Sequence, residues 1–303
     1  MIRSRKLRYS LLLLGSVMAL GAIIAEDRTR LLERSLFQAN QAREDKAPDG
    51  SLWLADYHAV RQAQPIEGIS DDLSALTYDP QSKTLFSLTN QREKLVQLSL
   101  DGKVLRTIPL SGFDDPEAVE YVGPGTFVVA DERNLRLHLI KVGDDTRAID
   151  AAQGRQLTLE GDSGGNKGLE GSAYDPSTDT LFLAKERDPL QIFEVNGFTR
   201  DGQAGQASVT ANPARDGGLF VSDLSSLFFH APTGHLFALS DESGVLLELD
   251  ENGQPVSSLS LSEGQHGLDE DVPQAEGVTM DADGNIYLVS EPNLFYVFSK
   301  RQG

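Results

Sequence analysis

An all-β fold, and within that class a β-propeller, is what the sequence predicts, on three observations. A strand-turn-strand unit recurs five times, over residues 73–90, 116–131, 166–187, 224–241 and 275–291. Each copy has a turn rich in Asp, Pro or Gly (Asp79-Pro80, Gly123-Pro124-Gly125, Asp175-Pro176, Pro232-Thr233-Gly234, Asp283-Gly284) and an aromatic in the returning strand (Phe86, Phe127, Phe182, Phe237, Tyr287). The copies follow one another at roughly 40–55 residues, the period of propeller blades. Beyond Ser51 helical periodicity is almost absent, and short apolar or alternating runs are punctuated by Gly, Pro, Asn and Asp.

Taken in order, the chain opens with Arg3, Arg5, Lys6 and Arg8 ahead of an uncharged apolar run over residues 9–25. A positive flank that stays in the cytoplasm followed by such a run is an export signal. Ile23 and Ala25 make a poor small-x-small cleavage site, and Glu26-Asp27 follow at once. That favours an uncleaved single-pass anchor in the inner membrane, with the main domain in the periplasm, over a removed signal peptide. The run is a little short of the ~20 residues of an ordinary span. Residues 29–44 are rich in helix formers, with Leu32, Leu36 and Ala39 at helical spacing, and Ala47-Pro48-Asp49-Gly50 breaks that pattern. Residues 1–25 therefore read as anchor, 26–50 as helical stalk and linker, and 51–303 as the propeller.

Within the propeller each hairpin runs on into a third strand, at 94–100, 135–142, 190–195, 245–249 and 294–298. Asp101-Gly102, Asn196-Gly197 and Asn252-Gly253 supply tight turns, and fourth strands fit at 104–110, 156–160, 207–210 and 256–261. The last repeat ends without a fourth strand, and residues 56–66 at the other end have no hairpin to join. Pairing them beside residues 294–298 completes that blade and leaves no open edge. The count is five blades of four antiparallel strands. A sixth would need an irregular blade inside 148–168 or 197–218, two polar, Gly-rich stretches that read as long surface loops.

Asp and Glu number 46 against 27 Lys and Arg, a formal net charge of −19. Such a surface repels a polyanion, so no nucleic-acid partner is expected. The absence of cysteine excludes disulfides, a thiol nucleophile and a lipid anchor on Cys. There is no G-x-S-x-G and no phosphate-cradling Gly loop.

The segments I-S-D-D-L-S-A-L-T-Y-D (69–79), D-D-P-E-A-V-E-Y (114–121), N-K-G-L-E-G-S-A-Y-D (166–175), L-S-D-E-S (239–243) and Q-A-E-G-V-T-M-D (274–281), with the ending S-E-P-N-L-F-Y-V-F (290–298), resemble the SdiA-regulated family of bacterial envelope proteins. The resemblance covers nearly everything from Trp53 to Phe298. It implies a β-propeller, often behind an N-terminal anchor, and supplies no reaction.

Two polar positions recur in register. Ser74, Glu117, Glu170, Ser225 and Glu276 stand near the start of the first strands, and Asn90, Asp131, Glu186, Asp241 and Glu291 come four residues past the aromatics. Both lie at one end of the hairpin, so they are expected as cross-strand neighbours that pair carboxylates in three repeats. In a propeller the first strand lines the central channel. Glu117, Glu170 and Glu276 are then expected to converge at its mouth, with Asp131, Glu186, Asp241 and Glu291 as a shell one strand further out. An all-carboxylate set suits Ca²⁺, or Mg²⁺, and leaves little for a softer metal. The pattern is also similar to the gluconolactonase and paraoxonase group of propellers, which hold a divalent ion in the channel. The competing reading is a structural network, in which the acids accept main-chain N–H groups or pair with Arg133, Lys167, Lys185 and Arg187. Asp72 and Asp223 either add ligands or cap loops. Of the histidines, only His266 is expected near the acidic mouth, as a weak candidate base; His58, His138, His230 and His235 share no metal spacing. Two functions stay open: a binding or scaffold propeller with a cation in its channel and a ligand left unspecified, or a metal-dependent hydrolase of lactones or phosphoesters.

Overall fold

Alternation of apolar residues with short turns builds the same four-stranded sheet again and again. In the computed structural model, which describes residues 30–44, 46–70, 72–159, 168–200 and 207–301, there are five such sheets. After β1 (Tyr57–Pro65), the first blade takes β2 (Leu73–Asp79), β3 (Thr84–Thr89), β4 (Lys94–Leu98) and β5 (Val104–Ser111). The second takes β6 (Pro116–Gly123), β7 (Thr126–Asp131) and β8 (Arg136–Lys141); the two-residue β9 (Ile149–Asp150) then pairs in parallel with β5, and β10 (Arg155–Thr158) completes the second blade. The third takes β11 (Leu169–Asp175), β12 (Thr180–Lys185), β13 (Gln191–Asn196) and β14 (Ser208–Ala211). The fourth takes β15 (Ser226–His230), β16 (His235–Ser240), β17 (Val245–Leu249) and β18 (Pro255–Ser260). The last has β19 (Ala275–Met280), β20 (Ile286–Ser290) and β21 (Leu294–Lys300), with β1 antiparallel to β21 as its outermost strand. No sixth sheet occurs among the described residues.

The first strands β2, β6, β11, β15 and β19 each pack on the next, and β19 on β2, so together they ring an axis. Where β11 meets β15 the backbones touch: a Cβ on Gly171 would lie 2.7 Å from Ser226 Cα. Where β19 meets β2, a Cβ on Gly277 would lie 2.5 Å from the Ala75 carbonyl carbon. Only glycine permits either approach.

The core lies between blades. Phe86 and Phe127, with ring centroids 4.6 Å apart, fill the space between the first two. Phe237 plays the same part between the fourth and the last. The aromatic that marks each returning strand is thus an inter-blade wedge, and burying one such side chain contributes about 1.5–3 kcal/mol.

The helix expected within residues 29–44 forms as α1 (Leu31–Gln41) and is docked on the propeller. Arg34 Nη1 donates to Phe220 O at 3.0 Å, Phe37 packs on the Phe220 ring, and Gln41 exchanges two hydrogen bonds with the Ser258 main chain. The docked face is therefore Arg34-Phe37-Gln41, and Leu32 and Leu36, which stand at helical spacing, are exposed. A second helix, α2 (Pro213–Gly218), occupies a stretch expected as loop. Asn212 caps it by accepting Arg215 N, and Pro213 presets its first turn. Downstream of α1, the fully buried Glu248 accepts Ser51 Oγ, Leu52 N and Trp53 N, clasping the chain to the fourth blade just before β1. The apolar run 9–25 lies outside the described residues. No helix among the described residues is long and apolar enough to cross a membrane.

Candidate metal centre

Three of the inner strands are interrupted at one place. In β6 the register slips between Pro116 and Ala118, in β11 between Leu169 and Gly171, and in β19 between Ala275 and Gly277. The residue left over is Glu117, Glu170 or Glu276. A bulge leaves its extra residue unpaired and bends the strand, which re-aims that side chain. Here it takes each glutamate out of the ladder at the end where the strand begins.

The bulges also correct the cross-strand expectation. Asp131 stands opposite Pro116, not Glu117; Glu186 N bonds to Gly168 O, and Glu291 N to Gln274 O, so neither faces its expected glutamate. The extra residue shifts every pair by one or two positions. In the first repeat, where no acid stands, Ser74 Oγ still reaches Asn90 Oδ1 at 2.6 Å.

Despite the shifted register the three glutamates share a neighbourhood. Burial pushes the Glu117 carboxyl up to about 8, with the charges of Asp115, Glu132 and Glu276 adding to the rise and Ser74 opposing it. Burial likewise takes Glu276 to about 8, assisted by Asp241, Glu291, Asp223 and Glu186. Glu170 is pushed well above the carboxylate range by burial and then by Glu117, Glu132 and Glu276. Among the described residues no ion pair joins any of the three to a Lys or Arg. Asp115, Glu117 and Glu132 each offer an oxygen within 4.8 Å of the others, the spread of donors about one cation. Two ligands at the ~2.4 Å of a Ca²⁺–O bond can stand no further apart than that. The donor set is all hard oxygen, so these residues fit Ca²⁺ or Mg²⁺ and not a softer ion.

The expected outer shell divides. Asp131 is turned away: its oxygens accept Asp114 N and Asp115 N at 3.0 and 2.8 Å, and the His138 ring stands 3.7 Å off. Burial opposes ionisation there, but His138 and these N–H groups hold its carboxyl below the usual range. Asp241 accepts Ala275 N at 3.0 Å, stitching the fourth blade to the last. Glu186 pairs with Arg187 at 2.7 Å, and Arg187 also reaches Glu242. Glu291 lies beside Asp72 and Asp241, whose charges add to the rise that burial gives its carboxyl. Asp223 caps a loop by accepting Ser240 Oγ and Glu242 N. The structural network therefore accounts for Asp131, Asp241 and Glu186, together with Arg133 on Asp115 at 2.9 Å, but not for the three bulge glutamates. Lys185 binds Asp188 O, and Lys167 lies outside the described residues.

Glu132 was missed in the sequence. It follows Asp131 directly, and it, rather than Asp131, stands with Asp115 and Glu117. His266 is also placed differently from expectation. Its Nδ1 lies 2.8 Å from Tyr57 O on β1, the outer strand of the last blade, because its loop leaves the outermost strand of the fourth.

This frame defines a five-bladed propeller with acidic bulges at one mouth of its channel. Residues 49–299 match the SdiA-regulated family, and the chain belongs to that family. Among solved structures it is similar to regucalcin, a calcium-binding protein from Agrobacterium tumefaciens strain C58, at 12% identity and a TM-score of 0.53, over 80% of this chain and 93% of that one. The β-propeller domain of Myceliophteria thermophila Cps50 (Swd1) aligns at 11% identity and a TM-score of 0.42, over 80% of this chain and 67% of that one. At 12% identity the regucalcin match speaks for the fold.

Proposed function

We propose that the protein is a binding or scaffold propeller with a divalent cation, Ca²⁺ before Mg²⁺, fixed at the acidic mouth. Asp115, Glu117 and Glu132 hold the ion, and Glu170 and Glu276 complete the negative field around it. The observation that carries this is three bulges that take three buried glutamates, none in an ion pair among the described residues, out of the ladder at one end of the inner strands. Carboxyls pushed so far above their ordinary range hold either protons or a cation, and at neutral pH a cation relieves their mutual repulsion. A fold neighbour described as calcium-binding is in keeping with this reading. The pairing of β1 with β21 keeps the ring shut and the mouth rigid. Residues 9–25 hold the chain at the inner membrane, with the propeller in the periplasm and its ligand at the channel face.

A second reading, metal-dependent hydrolysis of a lactone or phosphoester, gains from one observation. Glu117 and Glu276 at about 8 are poised to exchange protons near neutral pH, a role no histidine fills at this mouth. Equilibrium dialysis against millimolar Ca²⁺ or Mg²⁺, followed by metal analysis and melting with and without chelator, tests the ion. Retained metal and a chelator-sensitive melting temperature support it; protein that keeps no metal removes both readings. Turnover on a lactone and phosphoester panel, lost on chelation with the fold intact, selects the hydrolase.

A further inference from the structure

The opposite end of the channel holds a cavity with different chemistry. Four residues beyond Ser74, Glu117, Glu170, Ser225 and Glu276 stand Tyr78, Tyr121, Tyr174, Phe229 and Met280, where the inner strands run out. They line a space of about 460 Å³ to which all five blades contribute. Turn residues Pro80, Pro176 and Pro232 form an exposed rim. That volume suits a small organic molecule.

Charge narrows the class. Among the described residues no Lys or Arg lines the cavity, so nothing there would hold an anion. Its other polar side chains are mostly engaged. Asp281 is taken up by its own turn, accepting Asp283 N, Asn285 N and Nδ2, and the Tyr287 hydroxyl. His230 Nδ1 lies 2.9 Å from Thr233 Oγ1, and burial pushes its imidazole down, towards the neutral form. Glu120 is the exception. The corresponding positions of the other blades carry Thr77, Ala173, Phe228 and Thr279, so the fold does not call for an acid here. Protein surrounds Glu120, yet it stays partly accessible from the cavity. It accepts the Thr77 hydroxyl at 3.0 Å and a hydrogen bond from the Tyr174 main chain. Burial pushes its carboxyl well above the ordinary range. A buried acid in such a place holds either a proton or a cation, and an ammonium ion in the cavity would take the proton's place.

We infer that this cavity binds a small organic ammonium ion, with Glu120 as counter-ion and the rings of Tyr78, Tyr121, Tyr174 and Phe228 as its walls. Aromatic faces attract organic cations, and the attraction grows when water is excluded. Uncharged ring compounds would stack on the same walls but make no use of Glu120. The site is separate from the acidic mouth, and chelator should not affect it.

Choline and its uncharged carbon isostere, 3,3-dimethylbutan-1-ol, separate the two kinds of ligand by calorimetry on the full chain in the presence of chelator. Choline is expected to bind about ten-fold or more tightly than the isostere. Glu120→Gln keeps an acceptor for Thr77 and is expected to melt no lower than the parent while erasing that preference. Tyr78→Leu is expected to weaken choline several-fold with Glu120 in place. Equal binding of choline and the isostere, no choline binding, or undiminished choline binding by a folded Glu120→Gln protein would each overturn the inference.

Discussion

The carboxylate of Glu132 accepts the main-chain N–H of Gly168 at 2.9 Å. The bond runs from the loop after β7 in the second blade to the residue just before β11 in the third. The acid that completes the cluster with Asp115 and Glu117 is thus aimed by the neighbouring blade. A Cβ on Gly168 would lie 2.3 Å from Glu132 Cγ and 2.8 Å from Glu132 O.

Gly168→Ala should therefore displace Glu132. Ca²⁺ affinity is expected to fall about ten-fold or more, as when an outer-shell partner of a metal ligand is lost. Stability should drop by about 1–3 kcal/mol. Calorimetric titration and urea unfolding read the two effects separately.

Acidity should govern the stability of the cation-free protein. Glu117 and Glu276 have folded values of about 8 against an ordinary 4.5, so the folded state keeps protons that the unfolded chain has released. The stability this brings is complete below the unfolded value and is lost as pH rises through about 8. In chelator, the melting temperature is expected to fall by about 5 °C or more between about pH 5 and pH 9. Saturating Ca²⁺ should flatten the decline, because the ion takes the place of the protons. A chelated protein whose melting point ignores pH over that range would contradict this account.

Glu170→Gln should reverse its sign with the metal. Removing one of several crowded carboxyls is expected to raise the melting temperature in chelator above about pH 8. In millimolar Ca²⁺ the same variant should melt below the parent and gain less from the ion. Thermal scans in the two buffers give the comparison directly.

The glycine after each of two bulges should matter for a different reason. Gly277→Ala drives a methyl group into the Ala75 backbone, 2.5 Å away, and is expected to destabilise by about 2–4 kcal/mol. Gly217→Ala, with nothing within 4 Å and a place in α2, should be neutral or stabilise by up to about 1 kcal/mol. Denaturant unfolding of the pair distinguishes a backbone contact from a general glycine effect.

Much of the fold was legible because strand and turn signals are local. Asn252-Gly253 falls between β17 and β18, and the third strand expected at 245–249 is β17 residue for residue. The same locality explains what was missed. Asn212-Pro213 announces a helix start, but it sits in a Gly-rich neighbourhood that reads as loop. Leu32 and Leu36 have the spacing of a buried face, yet α1 buries Arg34 and Phe37 because the Phe220 carbonyl and ring happen to lie there. At the acidic mouth, the sequence supplied Glu117, Glu170 and Glu276, while counting along an ideal ladder named Asp131 in place of Glu132. A bulge is a fact of pairing between two strands, and neither strand alone announces it. The Glu-Gly pairs Glu170-Gly171 and Glu276-Gly277 carried the only sign: an extra residue to be turned out, then one without a side chain where two backbones meet.

Tyr57–Pro65 and Leu294–Lys300 are partners separated by nearly the whole chain. As the polypeptide is made, the early segment must wait, its hydrogen-bonding edge uncovered, until the late one has been delivered. Contacts of such long range slow folding and leave sticky intermediates in the meantime. Assembly of this protein is therefore most exposed to helper proteins and to misassociation before Leu294–Lys300 is made, when four sheets can stand complete and the fifth still lacks its two outer strands.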